Sequence, residues 1–169
     1  MDNKLRAELY YKLKNDKDKL KDLAGEGKIT LSDYIEITGD IWEDVPIEIA
    51  KKSKIQELYS KLFQAINTQF ISSTTGHTYG YSESDQQNIM KQINALNMEK
   101  EIYGIIQTQE IPWFTLDAGW VNHTVADFYN VLKDAAIHED TQWSIFKQKS
   151  IEVQNATTVE EVEAIKWDD

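Results

Sequence analysis

The chain contains no cysteine. Disulfides, thiolate metal ligands and cysteine nucleophiles are thereby excluded, and the fold is indifferent to redox compartment. Basic residues are scarce: 18 Lys and Arg stand against 29 Asp and Glu, a formal charge of -11. A surface of that sign repels phosphate backbones and anionic headgroups, so nucleic acid is not expected as a partner. No apolar run approaches the length that spans a bilayer, and the Met-Asp-Asn-Lys start leads into charged residues, so neither membrane insertion nor a secretory leader is expected. A soluble protein made in the cytoplasm follows as the expectation. A Gly-rich phosphate loop, a nucleophile elbow, a calcium loop and an internal repeat are missing as well. The three histidines, His77, His123 and His138, fall in no metal-ligand spacing such as i, i+4 on one helix. The sequence therefore predicts no metal, no cofactor and no catalytic residue, that is, a non-enzyme.

What is present supports a folded chain. Its 169 residues suit one domain, or one domain with a small appendage. Apolar residues make up 41%, and five Trp, eight Tyr and five Phe each bring a large buriable area. Residues 1–28 hold eight of the 18 basic groups but only six of the 29 acidic ones. Such a basic arm serves either as a docking element for an acidic neighbour or, more simply, as a solvated helix face.

Periodicity divides the chain into helices. Leu5, Leu9 and Leu13 at spacing four, then Leu20, Leu23 and Ala24, predict two short helices over 3–24 separated by the charged Asn15–Lys19 stretch. Thr30 with Asp33 reads as a capping box for a helix ending near Gly39. Asp44 and Pro46 open a strongly apolar helix whose Ile55, Leu58, Tyr59, Leu62, Phe63, Ala65, Ile66 and Phe70 exceed one narrow stripe. Such a helix has to be enclosed by others or by copies of itself, which makes a homo-oligomer an expectation. The Ser- and Thr-rich 71–81 stretch predicts an irregular or extended piece. Ser82 and Asp85 start a helix with Ile89, Met90, Ile93 and Leu96 on its buried side. Asp117-Ala118-Gly119 joins two β-prone runs into a small hairpin. Thr124 and Asp127 cap the longest helix, reaching about Asn155 and burying Phe128, Leu132, Ala135, Phe146 and Val153, with Glu139 on that same side. Thr158 and Glu161 cap a last short one. The fold class is thus mainly α: a helical bundle with a small β-hairpin around 111–123 and a long C-terminal helix. A small helical unit over 1–42 and a helical domain over 43–169 are expected.

Few residues invite a functional reading. His77 sits in a polar loop between rigid elements, a common place for function. Alternation along a strand sends Trp113 and Phe114 to opposite faces, so one packs inward while the other, with Trp120, can meet a partner. Leu58 and Leu62 on the apolar helix are candidate contact residues between chains. The carboxylate pairs Glu99 with Glu101 and Glu160 with Glu161 suggest acid and base roles on paper, but acids crowded at helix ends are explained by capping and the helix dipole.

Four blocks carry a family likeness: Tyr81-Ser82-Glu83-Ser84-Asp85-Gln86-Gln87-Asn88-Ile89, Ile111-Pro112-Trp113-Phe114-Thr115-Leu116-Asp117, the long helix with Lys147 and Lys149 late in it, and Ala156-Thr157-Thr158-Val159-Glu160-Glu161-Val162-Glu163-Ala164-Ile165. In their order they make 76–167 resemble uncharacterised domains found at the ends of phage tail-fibre and related tail proteins. Tyr10-Tyr11-Lys12, Gly27-Lys28-Ile29-Thr30, Tyr34 and Glu36-Ile37-Thr38-Gly39 resemble the very short tail proteins of PBSX-type defective prophages. Both resemblances imply a bacteriophage tail setting: a structural tail or baseplate protein with other tail or tail-fibre proteins as partners, found in the host cytoplasm during assembly and in the virion tail afterwards. A tail-fibre assembly chaperone is the alternative, and a carbohydrate-binding module for host attachment a third reading.

Overall fold

Capping chemistry sets where the helices begin. In the computed structural model, which describes residues 2–167, Asp2 accepts a hydrogen bond from the Leu5 amide and opens α1 (Asn3–Lys14). Asn15 ends it in the left-handed region at φ 50°, a conformation Asn tolerates better than most residues, and Asp16 caps α2 (Lys17–Gly25). The two expected short helices are therefore present. Thr30 and Asp33 form the reciprocal capping box of α3 (Leu31–Thr38), and Gly39 closes it. The apolar helix, α4, runs Ile47–Ile66 directly after Pro46.

The chain then forms a two-residue ribbon, β1 (Phe70–Ile71) with β2 (Thr78–Tyr79), antiparallel. Phe70 thus lies beyond the helix, and the 71–81 stretch is more regular than its composition predicts. Ser82 and Asp85 box the start of α5 (Glu83–Tyr103). The expected hairpin is β3 (Glu110–Thr115) with β4 (Gly119–Thr124). Gly119 sits at φ 75°, the left-handed position a three-residue hairpin loop needs. The long helix α6 (Val125–Asn155) follows at once, its first turn held by Thr124 and Asp127, and α7 (Val159–Ala164) carries the third capping box, Thr158 with Glu161. Among the described residues the protein is mainly α, with seven helices and two small antiparallel ribbons. No helix among them is long and apolar enough to cross a membrane.

Two compact units emerge. One gathers the chain up to Lys61 and from Ile145 onward. Its first core cluster is Ala7, Leu20, Ala24, Ile29 and Tyr34; its second joins Leu31, Ala50, Ala156 and Val162. Trp42 packs against both, which is why the structural division does not follow the expected 42/43 boundary: α3, α4 and α7 share a core. The other unit, Leu62–Ser144, is built on Phe70, Tyr79, Val131 and Ala135 and on Leu96, Ile111 and Phe128, with Trp113 touching both clusters.

Several expected core positions are exposed. Leu5, Leu9 and Leu13 face outward because Ala7, not the leucine stripe, meets α2 and α3. Met90 is exposed on α5, and Leu132 and Phe146 are half-buried on α6, where Val131 takes a buried place instead. Glu139 is half-buried and accepts from the Tyr81 hydroxyl at 3.3 Å.

Candidate functional site

The Leu62–Ser144 unit holds most of the residues singled out by sequence, arranged on two hairpins. The longer hairpin has chemically different sides. Inward, Ile111, Thr115 and His123 are buried and Trp113 packs on Phe128, ring centroids 5.0 Å apart. Outward, Phe114 and Trp120 are directly opposed in the ladder, 5.8 Å apart at an interplanar angle of 76°. Phe114 is 52% exposed and Trp120 75%. Pro112 and Asn122, also opposed and exposed, extend this face, and Asn122 Nδ2 donates to Glu110 Oε2 at 2.9 Å. Strand alternation alone produces this division.

Carboxylates pin the shorter ribbon in place. Asp117, in the turn of the longer hairpin, accepts from the Thr78 amide at 2.8 Å through Oδ1 and is hydrogen-bonded to His77 Nδ1 at 2.9 Å through Oδ2. A backbone bond from the Leu116 amide to the Thr78 carbonyl, 2.8 Å, completes the clamp. The hydrogen bond from His77, then that from Thr78, hold the Asp117 carboxyl below the usual range. On the other side of the ribbon, Asp134 of α6 accepts from Ser72 Oγ at 2.7 Å, Ser73 N at 2.8 Å and Ser73 Oγ at 2.9 Å. Desolvation acts to raise the Asp134 pKa, yet these bonds together outweigh it and the net shift is downward.

Beneath the ribbon runs a stack of rings. His138, Phe70, Tyr79 and His123 follow one another at centroid spacings of 5.9, 5.5 and 5.8 Å. Tyr79 Oη shares hydrogen bonds with Thr75 Oγ1 at 2.9 Å and His123 Nε2 at 3.3 Å. Burial raises the Tyr79 pKa and lowers that of His123, so at neutral pH both rings are uncharged. His138 Nε2 pairs with the Ile66 carbonyl at 3.1 Å. Every histidine thus has a structural partner, and no buried side-chain nitrogen or oxygen among the described residues lacks one. Among those residues no group of three or more His, Asp or Glu is arranged to hold a metal.

The two suspected carboxylate pairs resolve into caps. Glu99 accepts from Thr108 Oγ1, Thr108 N and Gln107 N, and Glu161 from Thr157 and Thr158. These bonds hold both carboxyls below their usual range, the side chain of Thr108 contributing most at Glu99 and the backbone of Thr157 most at Glu161.

Residues 49–166 match a family described as a domain of unknown function, DUF4376. The chain belongs to the DUF4376 family. Among curated proteins and among solved structures, nothing matches it. The DUF4376 segment contains both hairpins, both clamping aspartates and every candidate named from sequence, while α1, α2 and α3 precede it.

Of those candidates, Phe114 and Trp120 are brought together on an open face, Trp113 serves the core, and His77 is tied to Asp117. Leu58 and Leu62 are corrected: they are 3% and 0% exposed, buried inside their own chain, and are not available to a neighbouring one. Asp117 and Asp134 escaped the sequence reading. The hydroxyl-rich Ser72-Ser73-Thr74-Thr75 run signals a carboxylate partner nearby, but a partner 61 or 62 residues away is invisible to local pattern.

Proposed function

We propose that this DUF4376 protein is a non-enzymatic component of a bacteriophage tail or tail-like particle, associated with the tail or baseplate, and that it docks on another tail protein through the outer face of the β3–β4 hairpin. The observation carrying the docking surface is the Phe114–Trp120 pair: two large rings held edge to face on a two-stranded ladder, with most of Trp120 open to solvent. Aromatic anchors on a rigid frame lose little conformational entropy on binding and are enriched among interface hot spots. The frame is rigid because Trp113 and Ile111 are locked into the core on its other side and Asp117 clamps its turn. The tail setting rests on the resemblance of the four sequence blocks to tail-fibre-associated domains.

The test is capture of co-encoded tail proteins by the purified chain, compared with Phe114→Ala, Trp120→Ala and the double variant. Retention by the wild type and loss by the double variant supports the reading; a chain that ignores every tail protein of its own operon overturns it. Mass spectrometry of mature particles separates two forms of the proposal. A structural part is present at fixed stoichiometry, whereas an assembly chaperone for tail fibres captures its client and is absent. Exposed Trp120 near Asn122 and Glu110 also suits a sugar ring stacked on an indole, so glycan-array binding abolished by Trp120→Ala would replace protein docking with host-carbohydrate recognition.

A further inference from the structure

Helix α1 is apolar on two opposite sides. Ala7 is buried and Tyr11 packs beside it against the first core cluster. At roughly 100° per residue, Leu5, Leu9 and Leu13 fall on the far side of the helix from these two. All three are exposed, Leu13 by 81%. Arg6 and Lys12 flank the stripe, and neither they nor Lys14 forms an ion pair with any other described residue. Lys4 is engaged with Asp33 and Glu36. With Glu8 as its only acid, α1 presents a greasy stripe edged with positive charge.

The same compact unit has a groove of about 620 Å³ lined from α3, the 41–45 segment, α4 and α7. Ile35, Ile41, Trp42, Val45 and Val159 supply its apolar lining, with Ile41 75% exposed. Four acids border it, Glu43, Glu57, Glu160 and Glu163, against Lys54 and Lys166. Both lysines are already committed. Lys54 is buried and pairs with Glu57 at 3.1 Å and Glu163 at 3.7 Å, and Lys166 Nζ donates to the Glu163 carbonyl at 3.0 Å. The groove is therefore apolar in its lining and acidic at its border.

We propose that stripe and groove are the two halves of one contact: the Leu5–Leu9–Leu13 side of α1 in one copy seats in the groove of a second copy. Helix-in-groove recognition needs apolar anchors at i, i+4 and i+8 and a groove of opposite charge, and this chain carries both. A copy does not serve itself, because α1 is held on its own α2 and α3 through Ala7 and Tyr11 and would have to abandon that core. Since the two patches differ, the contact is heterologous and builds a ring or an open string of subunits. It does not depend on the hairpin reading.

The test uses the full chain. Sedimentation velocity over a wide concentration range shows self-association of the wild type, and the variant Arg6→Glu/Lys12→Glu and the variant Glu43→Lys/Glu160→Lys each sediment as monomers. Mixing the two variants restores association, because the reversed helix now fits the reversed groove. Circular dichroism confirms that each is folded. As a second route, the cysteine-free chain allows Leu13→Cys and Ile41→Cys to be made separately, and mixing them under oxidation gives the disulfide-linked heterodimer. A wild type that is monomeric at every concentration, charge variants that associate like the wild type, a mixture that stays monomeric, or no Leu13→Cys to Ile41→Cys link each overturns the proposal. Occupation of the groove only by a basic amphipathic segment of another protein gives the first of these results and overturns it too.

Discussion

Phe114 and Trp120 oppose each other across the β3–β4 ladder with their rings edge to face, while Trp113, one residue from Phe114, is turned to Phe128 on the opposite side. A single step along the strand separates a surface residue from a core residue, and substitutions divide accordingly. Phe114→Ala and Trp120→Ala lose a cross-strand aromatic pair worth about 0.5–1.5 kcal/mol. Phe128→Ala removes a fully buried ring and costs about 3–5 kcal/mol. Urea denaturation measures both. An outer-face substitution as costly as Phe128→Ala would mean that the pair is structural.

Leu58 and Leu62 make the complementary case. Each is sealed within its own chain, so Leu62→Ala opens a cavity and destabilises by about 2–5 kcal/mol, and Leu58→Ala falls in the same range. Below their midpoints the variants retain partner capture. Loss of capture by a variant that is still folded would return these leucines to an interface.

Local chemistry was legible in the sequence, and long-range pairing was not. Thr30/Asp33, Ser82/Asp85 and Thr158/Glu161 were readable because a capping box is complete within four residues, and all three are formed. The hairpin was readable because Gly119 follows a short turn sequence between β-prone runs. Hydrophobic spacing failed on α1. Leu5, Leu9 and Leu13 make a cleaner stripe than Ala7 and Tyr11, but small Ala7 allows close helix packing, and the leucines are left outside. The polar site was hidden for a different reason: His77 meets Asp117, and Ser72 meets Asp134, only after the intervening helix and hairpin have folded.

Asp134 anchors the β1–β2 loop, and its removal should be felt there first. In Asp134→Ala the buried Ser72 hydroxyl and the Ser73 amide lose their acceptor, a cost of about 1–3 kcal/mol. Hydrogen exchange at the Ser73 amide accelerates more than exchange in α5. Equal acceleration in both would show that the loop does not open locally but unfolds with the rest.

Acidification provides a separate test of the buried ring stack. His123 is 3% exposed, and burial lowers its pKa from an ordinary value of 6.5. Between the folded and unfolded values the unfolded chain binds the extra proton, so stability falls as pH drops below about 6.5, by up to about 1.4 kcal/mol per pH unit from this one group. The fall ends below the lowered folded value. Asp117 and Asp134 also have depressed folded values, but their contribution is full above the ordinary carboxylate range and is lost only as pH falls below about 4. The two effects therefore occupy different windows. Denaturant midpoints measured from pH 7.5 to 5 should decline in the wild type and decline less in His123→Gln, in which no ring is left to protonate. Equal slopes would place a proton on His123 in the folded state, and with it a charge inside the Phe70–Tyr79 stack.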